Sequence, residues 1–223
     1  HHSSEAFRAI AANHYRAGVQ GIYVFNMTAY RYRWLTDQRP PAGLGINYDF
    51  RPLREIGSFD DIRYGNKHYI FDNKGSGHRT DIATFAEWSS QIQDRLLISE
   101  WGTALDKPAL PADLEQGESI ETMLRIADDP REAEAAGLKM DATLRLMVTD
   151  MTGGSHVLAI AWNGSGLEAK TLEGERSYTR DWSIPSAAII CGDNALKLSV
   201  ESADPDVFSE IRIDDVEVIV TYD

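Results

Sequence analysis

The chain has 223 residues and a mass of 24.9 kDa, enough to bury a core without disulfide or metal staples, and its 43% hydrophobic content excludes intrinsic disorder. A net charge of −13 and a pI of 4.8 exclude a general electrostatic pull toward nucleic acid or anionic lipid. No apolar run approaches the roughly 18 to 20 residues of a membrane helix, so membrane insertion is not expected, and one cysteine, Cys191, excludes an internal disulfide framework.

Charge is unevenly spread. Residues 1–80 carry 11 Lys/Arg against 7 Asp/Glu, and residues 81–223 carry 11 against 28. The shift predicts two differently built parts with a boundary near Asn73–Gly77, where glycine and polar residues collect. The first residue is His1, not Met, consistent with a tag remnant or the edge of a cut.

Ser3 or Ser4 can cap a helix whose first turn holds Glu5. Phe7, Ile10, Ala11 and His14 recur at helical spacing and Gly18 supplies a stop. Ile22–Phe25 then reads as a short strand apolar on both faces, the pattern of a parallel sheet covered by helices. No second αβ unit follows, so residues 1–75 read as the end of a truncated α/β domain. The segment after it, through Asn26, Tyr30, Tyr32 and Trp34, is rich in groups that stack on sugar rings or bond hydroxyls. These four are the candidate substrate-binding residues; the alternative is a surface loop whose aromatics pack back on the scaffold.

Gly18-x-x-Gly21-Ile22-Tyr23-x-Phe25-Asn26, Leu53-Arg54-Glu55-Ile56-Gly57 and Lys67-His68-Tyr69-x-Phe71-Asp72 resemble the end of the barrel in bacterial family-10-like glycosyl hydrolases. The resemblance implies that Ile22–Phe25 is the eighth strand of a (β/α)8 barrel and that Leu53–Ile56 belongs to its last helix. It implies a periplasmic or extracellular protein whose two catalytic carboxylates, one protonating the leaving oxygen while the other attacks or activates water, precede residue 1. No catalytic residue is assigned in this chain. Glu55 is expected to pair with a helical Arg or to face solvent.

From Leu110 the pattern changes to period two. Thr122, Leu124 and Ile126 alternate with polar neighbours, as do Leu144, Leu146 and Val148, and Leu196, Leu198 and Val200. Val157–Trp162 is an apolar strand ending in the turn pair Asn163-Gly164. Ile211 and Ile213 share one parity and Val216, Val218 and Val220 the other, which predicts a bulge near Asp214-Asp215. Pro130–Gly137 adds one short helix. Strands separated by turns, with hardly any helix, predict an antiparallel sandwich.

Ala161-Trp162-Asn163-Gly164, Asp181-Trp182-Ser183-Ile184-Pro185, Gly192-Asp193-Asn194-Ala195-Leu196 and Ile213–Val218 resemble the galactose-binding-like jelly rolls attached to many glycoside hydrolases. Gly192 and Asn194 are expected to serve turn geometry and Trp162 to be core. Trp182, beside Arg180 and Asp181, is the candidate sugar platform of this half, while Trp88 and Trp101 would pack the two parts together. Asp204, Asp206, Glu210, Asp214 and Asp215 could assemble a calcium site or form a solvated acidic edge. No zinc spacing is present, and His14 and His68 are expected to be packed or hydrogen-bonded. Asn26-Met27-Thr28 and Asn163-Gly164-Ser165 fit the glycosylation triplet.

The expected fold is therefore α/β plus all-β: a truncated (β/α)8 barrel end over 1–75, a connector over 76–109 and a jelly-roll β-sandwich over 110–223. The expected function is the C-terminal part of a glycoside hydrolase that supplies one wall of the cleft for a poly- or oligosaccharide, with no organic cofactor. The rivals are a non-catalytic carbohydrate-binding or cell-surface protein and a purely structural sandwich.

Overall fold

A computed structural model describes residues 3–22, 51–72, 110, 112–150, 155–168, 170–172, 177–202 and 211–223. The period-two segments form two antiparallel sheets. Sheet I has the order β1 (Lys67–Asp72), β10 (Ile211–Tyr222), β4 (Met140–Asp150), β8 (Ser177–Ile184), with β2 (Ala112–Leu114) also paired to β10. Sheet II has the order β3 (Ser119–Ile126), β9 (Gly192–Ser202), β5 (His156–Trp162), β6 (Ser165–Gly166), with β7 (Lys170–Leu172) also paired to β5.

One face of each sheet is apolar, and the two faces bury each other. Leu144, Leu146, Val216, Val218 and Trp182 of sheet I share one core with Leu124, Leu158, Ile160, Trp162, Leu196 and Leu198 of sheet II. Each large side chain fully removed from water contributes about 1.5–3 kcal/mol, so this shared layer is what joins the sheets. The register of β10 on β4 shifts between Ile213 and Asp215. That irregularity lies where the change of parity predicted it, and it lets Ile211, Ile213, Val216, Val218 and Val220 all point inward.

The N-terminal region departs from expectation. Helix α1 (Ser4–Arg16) begins as predicted, with the Ser3 side chain accepting from the Ala6 amide at 3.2 Å, and is followed by Gly18 at φ +91°. A barrel remnant is not shown. Ile22 is described outside any strand, and residues 23–25 fall outside the described residues. β1, expected on the barrel side of the boundary near residue 75, runs antiparallel to β10, from Lys67 opposite Val220 to Asp72 opposite Asp215. The reason is its own alternation: Tyr69 and Phe71 are buried in the sandwich core while His68 and Ile70 face the other way.

Helices α2 (Arg51–Glu55) and α3 (Phe59–Ile62) complete this region. Four alanines of α1, at 6, 9, 11 and 12, are buried and allow close approach. Ala9 joins the sandwich core, whereas Ala11 and Ala12 pack with Ile56, Ile62 and Ala127 in a second cluster. Arg8 ties α1 to α2 through Glu55 at 2.7 Å, the helical Arg partner expected for that carboxylate. Asn13 of α1 donates to the Arg125 carbonyl of β3. α1 thus touches both β1 and β3, the edge strands on one flank of the sandwich.

Candidate functional site

At one end of the sandwich an open groove runs between helix α4 (Pro130–Ala135) with the segment that follows it and the loop that joins β8 to β9. The helix has a proline-compatible start and a capped first turn: the Asp129 side chain accepts from the Arg131 amide at 2.9 Å. Ala133 seats it in the core, and Gly137, at φ +77°, turns the chain into β4.

This wall is held from behind by residues far away in sequence. Asp128, 3% exposed, takes a hydrogen bond from Lys67 Nζ at 2.7 Å and from the Tyr222 hydroxyl at 2.5 Å on one oxygen, and from the Tyr69 hydroxyl at 2.6 Å on the other. Lys67, 1% exposed, spends its other two protons on the carbonyls of Arg63 and Gly65. Tyr69 also accepts from the Ala127 amide at 3.1 Å. Arg16 of α1 donates to the Ala127 carbonyl and grips Glu132 of α4 with both terminal nitrogens, while the Tyr64 hydroxyl donates to the Glu132 carbonyl. Burial lowers the Lys67 pKa against the opposing pull of Asp128. Burial first, then the Asp128 charge, push both phenols well above the usual phenol value.

The opposite wall is the loop through Ser186–Cys191, and neutral amides fix it. Asn194, fully buried, accepts from the Ile190 amide and donates to the carbonyls of Ile190 and Gly192. Asn163, in the left-handed region at φ +49°, donates to Asn194 Oδ1 and the Ala188 carbonyl and accepts from the Ala195 amide. The Trp162 indole donates to the same Ala188 carbonyl. The two turn motifs singled out in the sequence, Asn163-Gly164 and Gly192-Asp193-Asn194, therefore form a single lock.

The groove between these walls has a volume of about 1040 Å³. Arg131, Glu134, Lys139 and Ser186 offer charged and hydroxyl groups beside the apolar Leu138 and Ile190, the latter 53% exposed. Lys139 pairs with Asp141 at 2.6 Å. Cys191 bridges the walls, its thiol donating to the Ala127 carbonyl at 3.3 Å. Burial raises the pKa of that thiol against the opposing pull of Arg16.

The sequence-predicted residues fall differently. Asn26, Tyr30, Tyr32 and Trp34 lie outside the described residues, as do Trp88 and Trp101. Trp182 is corrected: it is 2% exposed, its indole donates to the Glu168 carbonyl at 2.9 Å, and Lys170 sits 5.0 Å from its ring centroid. Its ring is spent on the core and offers no open face to a sugar. Trp162 is core, as expected. Of the five acids weighed for calcium, Asp204, Asp206 and Glu210 lie outside the described residues; Asp214 accepts from Thr149 at 2.6 Å and pairs with Arg212. Among the described residues no group of three or more His, Cys, Asp or Glu is placed to hold a metal. His68 stands against Glu217 at 3.0 Å on the face of sheet I away from the core.

Sequence reasoning missed Lys67, Asp128, Tyr69 and Tyr222 as a unit. No local signal marked them, because Lys67 stands between Asn66 and His68 at the start of β1 and Asp128 lies in the polar turn Asp128-Asp129-Pro130, where a buried charge is not expected.

No protein-family model and no curated protein matches the chain. Among solved structures, the carbohydrate-binding module CBM36 in complex with calcium and xylotriose is 10% identical, covering 50% of this chain and 78% of its own at a TM-score of 0.33. A family 35 carbohydrate-binding module from an environmental isolate is 23% identical over 48% of this chain and 70% of its own, with a TM-score of 0.33. An insecticidal delta-endotoxin from Bacillus thuringiensis is 16% identical over 50% of this chain and 19% of its own, with a TM-score of 0.36.

Proposed function

We propose that this chain binds a carbohydrate without turning it over, and that the groove between α4 and the 186–191 loop is the binding site. The observation that carries the reading is the lining of the groove: Arg131, Glu134, Lys139 and Ser186 suit sugar hydroxyls, and Ile190 and Leu138 suit the apolar face of a pyranose ring. Both walls are fixed by buried hydrogen bonds, so little ordering is needed on binding. The acids and bases support binding over catalysis, because Asp129 caps a helix, Lys139 is paired with Asp141, and the Cys191 thiol donates to the Ala127 carbonyl. In the finer form of this reading the chain belongs to a larger glycoside hydrolase, and Asn26, Tyr30, Tyr32 and Trp34 add sugar contacts upstream.

The test is calorimetric titration of the chain with xylo-, cello- and galacto-oligosaccharides. One series should bind, and Arg131→Ala combined with Ile190→Ala should weaken it at least about tenfold, a loss of about 1.4 kcal/mol. Binding that survives the double substitution unchanged moves the site elsewhere. Absence of binding to all three series overturns the reading.

A further inference from the structure

We infer that the N-terminal segment acts as a strut that sets the α4 wall of the groove, with Asp128 as the positioning residue through which β1 and the last strand act. The geometry is convergent. Lys67 and Tyr69 of β1 and Tyr222 of β10 all end on the one Asp128 carboxylate. The neighbouring Asp129 caps α4, and the preceding Ala127 carbonyl receives Arg16 from α1 and Cys191 from the opposite wall. Arg16 and Tyr64 then hold α4 itself through Glu132. The side of α4 away from the groove is therefore built from elements that end by residue 72, together with one phenol near the chain end. Lys67, Tyr69, Asp128 and Tyr222 are not among the residues that line the groove, so their role is to position the wall rather than to touch what binds there.

Docking of the N-terminal segment and the width of the groove are therefore one equilibrium. Undocking β1 strips Asp128 of two of its three donors, frees the segment before α4 and breaks the thiol's contact with Ala127. The inference extends the binding reading by making the N-terminal segment a control on the groove, but its test needs no sugar, so the two can fail separately.

Cys191 is the sole cysteine of the chain, half-buried and tied by its thiol to the Ala127 carbonyl across the groove, so the rise of its labelling rate over that of the native chain reports the loss of this contact. The experiment follows thiol labelling by a maleimide on the full chain at constant pH, far below the melting temperature, with circular dichroism melts alongside. Tyr222→Phe removes one donor from Asp128 and should speed labelling about tenfold, an opening made easier by about 1.4 kcal/mol. Lys67→Met should speed it further. Leu198→Ala, in the core of sheet II and outside the hydrogen bonds that converge on Asp128, should lower the melting temperature and leave labelling unchanged. If Lys67→Met does not fold, Tyr222→Phe decides the matter alone, since it deletes a single hydroxyl. Labelling that is unchanged in Tyr222→Phe, or that simply follows the melting temperature in all variants, overturns the strut.

Discussion

Behind the α4 wall sit an ammonium, a carboxylate and two phenols, brought together from positions 67, 128, 69 and 222; behind the loop wall sit two neutral amides at 163 and 194. Both arrangements satisfy buried polar groups almost completely, yet they respond differently to damage. In the neutral lock, losing one partner leaves a few amide groups unpaired. In the ionic clamp it leaves a full charge in the protein interior, which is far more costly. The two also differ in reach. The loop lock closes within the β5–β9 part of sheet II, whereas the clamp exists only once β1 and the last strand have both docked.

The largest expected effect breaks the clamp at its centre. Asp128→Ala leaves the Lys67 ammonium buried with two carbonyls and no counter-charge, and should cost about 3–5 kcal/mol. Asn194→Ala deletes a buried amide that makes hydrogen bonds to Ile190, Gly192 and Asn163, and should cost about 2–3 kcal/mol. Urea unfolding of both variants ranks them directly. A larger loss for Asn194→Ala would mean that water reaches Lys67 and that the clamp is worth no more than its hydrogen bonds.

The clamp and the lock differ in pH dependence, because the clamp is built of groups that titrate and the lock of neutral amides. Tyr69 and Tyr222 are pushed well above the ordinary phenol value by burial and by Asp128. Above pH of about 10 the unfolded chain releases those protons while the folded chain keeps them, so stability falls as pH rises. Lys67 works in the opposite direction: burial lowers its pKa, so just below the ordinary lysine value the unfolded chain binds the extra proton and stability rises with pH. Above the ordinary lysine value only the phenols still act, and there the contribution of the clamp is a loss. Tyr222→Phe should flatten the fall in unfolding free energy between pH 10 and 11 by about 1 kcal/mol, approaching the full worth of one proton, about 1.4 kcal/mol per pH unit, only above that range. Equal slopes for the native chain and the variant would show that the Tyr222 phenol ionises while folded.

Much of the sandwich could be read from residues, and the reason is physical. Leu144, Leu146 and Val148 alternate because one face of their sheet is covered, and the jump of parity before Val216 marks a real shift of register. β1 was misplaced because six residues, Lys67–Asp72, look alike as a barrel segment and as a sandwich edge until the partner strand is known. That partner lies some 150 residues downstream, beyond any local pattern. Trp182 was misread for a related reason: charged sequence neighbours at 180 and 181 suggest exposure, yet in a strand consecutive side chains point to opposite faces. The groove could not be read at all, since its lining comes from the 129–141 and 186–191 segments, which only the folded sandwich brings together.

The smallest expected effect isolates the backbone part of the neutral lock. Asn163 sits at φ +49°, a conformation that asparagine and glycine tolerate and that costs alanine about 1–2 kcal/mol. Asn163→Gly removes the amide contacts to Ala188, Asn194 and Ala195 but keeps the turn unstrained. Asn163→Ala removes the same contacts and adds the strain. Alanine should therefore be less stable than glycine by about 1 kcal/mol, the reverse of the order at a helical or extended site, where glycine is the costlier residue. The pair separates two roles that a single substitution would mix: the difference from the native chain measures the hydrogen bonds, and the difference between the variants measures the turn. Should alanine equal or exceed glycine in urea midpoint, the loop wall would owe nothing to the left-handed turn, and its stiffness would rest on Asn194 and Trp162 alone.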